Sequence, residues 1–238
     1  MNKDIYTKYF STHYAHMYSK TALNDARMHF TTWDSYFGKL LPNDKNAKIL
    51  DAGCGTGDFL FWLKCIGFNK IRGVDFSAEQ ILAGKHAGFS DIYEGDIFEE
   101  LSKNIDSYDV IFARDVLEHF GKNDAVNFCK QAALSLVEGG SLIIQTTNAE
   151  NLLWGKIRHG DFTHEQAFTE SSMRQLLMIT GFKNVLVFPQ RPIIRGIKSF
   201  FRYVIWMFFE SFLRFYLAAE TGSSKGIFTQ NLLVLAKK

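Results

Sequence analysis

The stretch "ILDAGCGTGDF", residues 49–59, runs from an apolar segment into a turn with glycines at alternate positions. The apolar residues before the turn predict a strand over 47–53. A glycine-rich turn after the first strand of an α/β sheet is where nucleotide-like ligands bind, because backbone without side chains lets them approach closely. We therefore predict that an adenosine-containing ligand lies against this turn.

The spacing within the turn separates two classes of such ligands. Dinucleotide binding requires GxGxxG, with its third glycine at position 58, but Asp58 stands there and would oppose a pyrophosphate. S-adenosylmethionine carries no phosphate, and it offers an ammonium group and a sulfonium cation to a carboxylate such as Asp51. The pattern therefore favours S-adenosylmethionine.

The segment "DAGCGTG" resembles the first motif of the class I methyltransferases, acidic-x-Gly-x-Gly-x-Gly, and the resemblance extends in order over about residues 45–190. It implies that S-adenosylmethionine is the cofactor. It also implies that the following residues bind it: Asp51, Gly53, Gly55, Gly57, Asp75, Asp96, Ile97 and Arg114.

Three of these assignments follow from positions at predicted strand ends. By resemblance, Asp75 after the second strand holds the ribose diol, and Asp96 with Ile97 meets the adenine amino group. The segment "ARDVLEH" (113–119) after the fourth strand then lines the methionine end and the acceptor. A helix cap at Asp75 and a turn at Asp96 are the structural alternatives.

The rest of the chain alternates short β-branched runs with helical patterns, which is typical of βαβ units. We predict one α/β domain with a Rossmann-like three-layer sandwich, whose seven-stranded sheet is mostly parallel with an antiparallel last strand. Its parts are an N-terminal lid or helical segment (1–46), a cofactor-binding core (47–190), an amphipathic helical insertion (191–226) and the last strand (227–238). The predicted strands cover 47–53, 70–76, 91–96, 108–114, 140–147, 184–189 and 230–238.

Helix boundaries follow from capping residues and glycines. Ser77 and Thr169 are predicted N-caps, and Asn123 or Asp124 is predicted to cap the helix after the fourth strand. That helix is predicted to stop at Gly139-Gly140, and the helix after Thr169 at Gly181.

The composition excludes several classes of function. A net charge of +2 over 238 residues gives no global attraction to nucleic acid or membranes. Cys54, Cys65 and Cys129 are odd in number and form no CxxC pair, which argues against a disulfide framework or structural zinc. The segment 1–20 lacks the apolar run of a secretion signal, so we expect a cytoplasmic protein. Because "ARDV" (113–116) replaces a base-flipping motif and no long basic stripe is present, we expect no nucleic-acid substrate.

An alcohol acceptor must lose a proton during methyl transfer, and histidine is the commonest base near neutral pH. His119 lies just past the fourth strand, with Asp115 and Glu118 near enough to orient it. His164 lies in a later loop, where Asp161 can orient its ring. We predict that His119, His164 and Asp161 are catalytic; a core or capping His119 and an exposed His164 are the alternatives.

A metal is a second interpretation of the same loop. His159, Asp161 and His164 lie close in sequence. Their spacing matches no tight ligand set, and methyl transfer needs no metal. We therefore predict no metal site.

The loop "GDFTHEQAFT" (160–169) is similar to that of bacterial class I methyltransferases of surface glycans such as O-antigen and capsule, which share their general plan with the ubiquinone-pathway group. This resemblance implies O-methylation of a sugar hydroxyl, in polysaccharide biosynthesis, on a small-molecule or glycan acceptor that is lipid-linked or chain-terminal. Two alternatives are a lipid or quinone methyltransferase and an inactive cofactor-binding scaffold.

The segment 191–222 replaces a short connection between the last two strands. Its charges interrupt any run of the ~20 apolar residues that a membrane span requires. Residues 191–217 instead suit the surface of an anionic inner membrane, and a cover for the sheet or a dimer contact are the alternatives. On a helical wheel, polar residues form one arc (Arg195, Ser199, Arg202, Glu210, Arg214) and apolar residues the other (Phe200, Phe201, Val204, Ile205, Met207, Phe208, Phe212, Phe215).

The N-terminal segment is rich in aromatic and histidine side chains. Such side chains suit a lid over the cofactor, and ordinary helix packing is the alternative. The lid candidates are Tyr6, Tyr9, Phe10, Tyr14, Tyr18 and Phe30, with His13, His16 and Arg27.

Overall fold

The computed structural model describes residues 11–12 and 22–238. Its strands are β1 (Ile49–Ala52), β2 (Ile71–Asp75), β3 (Ile92–Glu94), β4 (Tyr108–Arg114), β5 (Leu136–Thr147), β6 (Asn184–Pro189) and β7 (Asn231–Lys237). Its helices are α1 (Ala22–Phe37), α2 (Asp58–Cys65), α3 (Ala78–His86), α4 (Ile97–Lys103), α5 (Lys122–Ser135), α6 (Trp154–Gly160), α7 (Glu170–Ile179) and α8 (Ile197–Thr221). Single 3₁₀ turns cover Gly38–Leu40 and Leu117–His119.

The strands form one sheet in the order β3-β2-β1-β4-β5-β7-β6. Strands β1 to β5 pair in parallel, and β7 runs antiparallel to both β5 and β6. The sheet confirms the predicted fold. Because the strand order reverses between β1 and β4, a crevice opens at their carboxyl ends, which is the ligand-binding edge of such sheets.

Side chains alternate between the two faces of the central strands. Leu50, Ile111 and Ile144 pack in the larger apolar cluster, while their neighbours Ile49 and Phe112 pack in the second. Both clusters are buried beneath helices, so the sheet is the middle of three layers. This two-sided burial explains the continuous apolar runs in β4 and β5.

The predicted helix caps are confirmed at two positions. The Ser77 side chain accepts a hydrogen bond from Gln80 N at the start of α3. Thr169 and Ser172 form a reciprocal capping box at the start of α7. The glycine predicted to stop α7, Gly181, follows two residues after its end with a φ of 108°.

The boundaries predicted for α5 are wrong at both ends. Gly121 is its N-cap, not Asn123 or Asp124, and the helix ends at Ser135, directly before β5. Gly139 and Gly140 lie inside β5, where the pairing with β4 shifts register between Leu136 and Ser141. Gly139 has a φ of 78°, so the glycines form a strand irregularity. A bulge and a helix stop both favour glycine, and the sequence alone does not separate them.

The insertion forms a single helix, α8, of 25 residues. It leaves the sheet after β6 and returns to β7, so the segments that connect it to the sheet start at the carboxyl edge of the parallel strands. Its approach is tied to α1, because Tyr36 Oη donates to the carbonyl of Arg191 at 2.7 Å. Within the described residues, no helix combines the length and hydrophobicity needed to cross a bilayer.

Candidate active site

A cavity of about 600 Å³ opens at the carboxyl edge of the sheet. The β1–α2 loop and the ends of β2 and β4 form its floor, and α1 forms one wall. Glutamine and asparagine side chains of β5 and of the β6 and β7 ends form another part of the lining. The lining residues that bear on function are Gly53, Gly55, Asp75, Ile97, Arg114, Asp115, His119, Gln145, Gln190, Gln230 and Asn231.

The glycines of the β1–α2 loop lie where side chains do not fit. Gly53, Gly55 and Gly57 have φ values of 81°, 56° and 88°, in the left-handed region that favours glycine. A Cβ on Gly53 would lie 2.4 Å from Val116 Cγ2. The loop therefore presents bare backbone to the cavity at Gly53 and Gly55, while Gly57 begins α2 beneath it.

Asp75 organises this loop. Its Oδ2 accepts a hydrogen bond from Gly55 N and its Oδ1 accepts one from Ser77 N, both at 2.8 Å. Burial raises the pKa of Asp75, and these two hydrogen bonds oppose the shift. Because a carboxylate has about four acceptor sites, Asp75 retains capacity for hydroxyl donors in the cavity.

Asp51 lies buried beneath the loop, and Arg114 lies beside the loop at the cavity. Asp51 is 2% exposed and does not line the cavity, whereas Arg114 does. Among the described residues, Asp51 Oδ1 and Arg114 Nε are buried atoms without a hydrogen-bond partner. Burial raises the pKa of Asp51 to about 7, with Arg114 opposing the shift. The Arg114 guanidinium lies 4.2 Å from the Phe59 ring centroid, which fixes it in place.

The third strand end is only partly as predicted. Asp96 caps α4 by accepting a hydrogen bond from Phe98 N, and it does not line the cavity. Its neighbour Ile97 does line the cavity. The capping alternative therefore describes the geometry of Asp96.

His119 belongs to a chain of hydrogen bonds at the cavity edge. Thr163 Oγ1 lies 2.6 Å from Asp161 Oδ1 and 2.8 Å from His119 Nδ1. When the single hydroxyl proton goes to the carboxylate, the Thr163 oxygen accepts from Nδ1–H, and the hydroxyl then links the imidazole to the Asp161 carboxylate. Burial, and then the neighbouring His164, lowers the pKa of His119 to about 4. His119 is therefore a neutral proton acceptor at physiological pH.

His164 takes a different place from the one predicted. It lies behind His119, with ring centroids 4.9 Å apart, and it is absent from the cavity lining. Its Nδ1 donates to the carbonyl of Ile157 at 2.9 Å. The Asp161 carboxylate reaches His119 through Thr163, and that it also orients His164 stays a prediction.

Asp115 and Glu118, predicted to orient His119, use their carboxylates elsewhere. Glu118 is buried and accepts a hydrogen bond from Thr146 Oγ1 at 2.8 Å, and burial raises its pKa. Asp115 has a φ of 54° and accepts two hydrogen bonds from Gln145 Nε2. The Glu118 carbonyl accepts from Glu165 N at 2.8 Å, which fastens the 160–169 loop beside His119.

Sequence reasoning missed the amide wall of the cavity. Gln145 Oε1 accepts a hydrogen bond from Gln190 Nε2 at 2.7 Å, and Gln230 with Asn231 lies beside them. Gln145 lies near the end of β5 and Gln190 follows β6, while Gln230 and Asn231 stand at the start of the antiparallel β7. All four therefore lie at the carboxyl edge, and this position was the available signal. It also missed Thr163, the link between His119 and Asp161.

His119, Asp161 and His164 also qualify by distance as metal-ligating groups, since their ligand atoms lie within 4.8 Å of one another. Asp161 Oδ1 is already engaged by the Thr163 hydroxyl and backbone amide. The arrangement fits a hydrogen-bonded base better than a metal centre.

Part of the predicted lid lies outside the described residues, namely Tyr6, Tyr9, Phe10, His13, Tyr14, His16 and Tyr18. Of the other two candidates, Phe30 packs against Trp33 and Phe61, and Arg27 lies over Phe61. Trp33 and Tyr36 of α1 line the cavity. The described helix therefore contributes a wall.

Comparison with protein families agrees with this geometry. A family model described as "Methyltransferase domain" matches residues 14–187. The chain belongs to this methyltransferase family. Structures of a phosphoethanolamine N-methyltransferase 2 with the same fold hold S-adenosyl-L-methionine or S-adenosylhomocysteine.

Curated relatives of this methyltransferase act on different acceptors. A malonyl-[acyl-carrier protein] O-methyltransferase of Erwinia billingiae is 30% identical over 112 residues, 44% of this chain and 41% of that protein. The mitochondrial ubiquinone biosynthesis O-methyltransferase of Rattus norvegicus is 34% identical over 153 residues, 56% of this chain and 44% of that protein. A tRNA U34 carboxymethyltransferase of Shewanella baltica is 30% identical over 122 residues, 48% of this chain and 35% of that protein. The matched region is less than half the length of each relative.

Solved structures share the fold. A methyltransferase from Archaeoglobus fulgidus superposes with a TM-score of 0.68 at 19% identity, covering 97% of this chain and 99% of that one. Phosphoethanolamine N-methyltransferase 2 of Haemonchus contortus, in complex with S-adenosyl-L-methionine, gives 0.62 at 15% identity, covering 98% and 60%.

The cavity residues fit S-adenosylmethionine. The buried Asp51 Oδ1 without a partner is an acceptor for which the cofactor's ammonium group is a matching donor. The bare backbone at Gly53 and Gly55 provides the close approach, and Asp75 offers acceptor sites for a diol. Bound cofactor supplies a methyl group activated by positive charge on sulfur.

Proposed function

We propose that this methyltransferase transfers the methyl group to a sugar hydroxyl of a glycan acceptor in surface-polysaccharide biosynthesis. The observation that carries the proposal is a buried, neutral His119 at the edge of a cavity that four amide side chains also line. The loop "GDFTHEQAFT" supports it by its similarity to methyltransferases of surface glycans.

The base follows from the acceptor's chemistry. A sugar hydroxyl is a weak acid, so it must give up its proton as its oxygen bonds to the methyl carbon. His119 accepts that proton, and the Thr163–Asp161 pair stabilises the imidazolium that results. A positioned base of this kind contributes about 10²-fold to 10⁴-fold to the rate.

The amide wall supports a polyhydroxylated acceptor. Each amide offers both donors and acceptors, which match the several hydroxyls of a sugar. The four amides are Gln145, Gln190, Gln230 and Asn231. Trp33 and Tyr36 add aromatic surface to the same cavity, which also suits a sugar ring.

A lipid or quinone acceptor is the second candidate, and one observation favours it. The rat relative is named for ubiquinone biosynthesis and is 34% identical over the matched region. A phenol has a pKa of about 10, so its methylation depends less on a base. An inactive cofactor-binding scaffold is the third candidate, and turnover decides it.

The test combines His119→Asn with exposed His159→Asn as the matched control. Cofactor affinity is measured by calorimetric titration, and turnover by transfer of labelled methyl to glycan-lipid extracts and to quinols. We expect His119→Asn to lower kcat on the glycan about 10²-fold or more with unchanged cofactor affinity, while His159→Asn leaves both unchanged.

Product on quinols but none on glycans would contradict the proposal and support the second candidate. Cofactor binding without product from any extract would support the scaffold. Full activity of His119→Asn on a glycan would refute the role of His119 while leaving the acceptor class intact.

A further inference from the structure

Helix α8 turns its polar side toward the protein. Glu210 is 3% exposed and accepts hydrogen bonds from Arg191 Nε and Nη2 at 2.8 and 2.7 Å. Arg214 Nη2 donates to the same carboxylate at 2.7 Å and reaches the carbonyl of Gly226. The hydrogen bonds from Arg191, and then Arg214, lower the pKa of Glu210 to about 2. This cluster of charges anchors the helix to the domain.

The opposite side of α8 is exposed and apolar, and we call it the outer face. Ile197, Phe208 and Phe215 are 78%, 71% and 72% exposed. A helix on a protein surface normally buries its apolar side and exposes its polar one, and α8 does the reverse. The large apolar side chains of the outer face are Ile197, Phe200, Phe201, Val204, Ile205, Phe208, Phe209, Phe212, Phe215 and Tyr216.

The shape of the outer face limits what covers it. With 3.6 residues per turn, these side chains occupy about half of the helix circumference over a length of about 30 Å. A paired helix covers a narrower stripe, the seam of a coiled coil. A planar apolar medium covers a half-cylinder completely, as for helices that lie in a membrane interface.

Charge complementarity identifies the medium. Arg195, Lys198 and Arg202 are exposed around the start of the helix, beside the apolar residues. Helix α8 has two acidic residues: Glu210 is buried inside its arginine cluster, and exposed Glu220 lies at the far end of the helix. The exposed charge beside the start of the outer face is therefore positive, which attracts an anionic lipid surface at about 1 kcal/mol per basic residue.

We propose that the outer face of α8 binds the surface of an anionic lipid bilayer, with the helix axis in the membrane plane. The segments that flank the helix reach the cavity, because Gln190 precedes the helix and Gln230 with Asn231 follows it. Membrane contact therefore brings the cavity rim to the lipid headgroups. The proposal concerns binding alone and does not depend on the acceptor being a sugar.

The test is flotation of the full chain with vesicles of phosphatidylglycerol and phosphatidylcholine, compared with phosphatidylcholine alone. We expect the double variant Phe208→Glu, Phe215→Glu to lower the partition coefficient at least ~100-fold, or ~10-fold for each buried phenylalanine. The matched control, Leu82→Glu with Leu134→Glu, places the same charges on exposed apolar positions of α3 and α5 and leaves partition unchanged.

A second pair of variants tests the charge. The double variant Lys198→Gln, Arg202→Gln should lower the partition coefficient on anionic vesicles about 25-fold, because each lost charge contributes a factor of about 5. Calorimetric titration with S-adenosylmethionine verifies that each variant is folded.

Three results would overturn the proposal. The first is that the wild-type protein does not bind anionic vesicles. The second is that it binds neutral vesicles equally well. The third is that the wild type is a dimer in solution that the Phe208→Glu, Phe215→Glu substitutions dissociate, while no vesicles bind the protein. The last result would assign the outer face to a second copy of the chain.

Discussion

Replacing Asp51 with asparagine separates the stability of this methyltransferase from its ligand binding. The buried carboxyl has its pKa raised to about 7 from an ordinary value of 3.8, chiefly by burial. Between these two values the cofactor-free native state holds a proton that the unfolded chain has released. The stabilising contribution of Asp51 is therefore fully present below about pH 4 and is lost as the pH rises through 7.

The size of the effect follows from the shift. One pKa unit corresponds to 1.36 kcal/mol, so the Asp51 contribution to the free energy of unfolding falls by about 2 kcal/mol between pH 5.5 and pH values above 7. Asparagine keeps the shape and removes the titration. We expect Asp51→Asn to lack this part of the pH dependence and to be more stable than the wild type at pH 8.5, with its S-adenosylmethionine affinity largely lost.

The assay is urea unfolding of the cofactor-free wild type and Asp51→Asn at pH 5.5 and 8.5, with calorimetric titration of S-adenosylmethionine at each pH. Other buried carboxyls contribute to both proteins, so the difference between their pH slopes isolates Asp51. Equal slopes would refute the pKa assignment. Full cofactor affinity in Asp51→Asn would refute its role as the acceptor for the ammonium group.

Three further predictions concern packing, the base and metals. A Cβ on Gly84 would lie 2.1 Å from the carbonyl oxygen of Thr56 in the cofactor loop, so Gly84→Ala should lower the free energy of unfolding by about 1–3 kcal/mol in urea titrations. Gly155 has open space around it, so Gly155→Ala should not measurably lower the free energy of unfolding. Equal effects of the two substitutions would contradict the contact. Thr163→Val should lower kcat at least ~10-fold by cutting the link between His119 and its carboxylate, whereas Thr163→Ser should keep activity; equal activity would exclude the link. Treatment with EDTA should leave the rate of methyl transfer unchanged, and a loss restored by a divalent cation would establish the metal site.

Much of the cofactor half followed from local sequence, because its chemistry depends on backbone. Glycines at alternate positions require left-handed conformations, and acidic residues at consecutive strand ends meet at one edge of a parallel sheet. Asp75 and Ile97 therefore lie in the cavity as predicted. Asp96 shows the limit, since a turn carboxylate and a cap look the same in sequence.

The acceptor half depended on contacts between distant segments. The bond between His119 and Thr163 joins residues 44 positions apart, and only the folded loop brings them together. A periodic pattern showed that α8 has two faces but not which one is buried. The arginine cluster around Glu210 decides that, and its partners Arg191 and Arg214 come from both sides of it in sequence.

Because β7 runs antiparallel to its neighbours, the segment between β6 and β7 can change without altering the β1 to β4 framework. Because β6 and β7 are joined at the end that faces the cavity, a segment inserted between them leaves from the cavity rim without crossing the cofactor loop. Exchange of α8 for a segment of another length would leave the β1 to β4 framework intact. The connection between β6 and β7 is thus a site at which other segments can be inserted to change acceptor specificity, while the methyl-donor pocket stays the same.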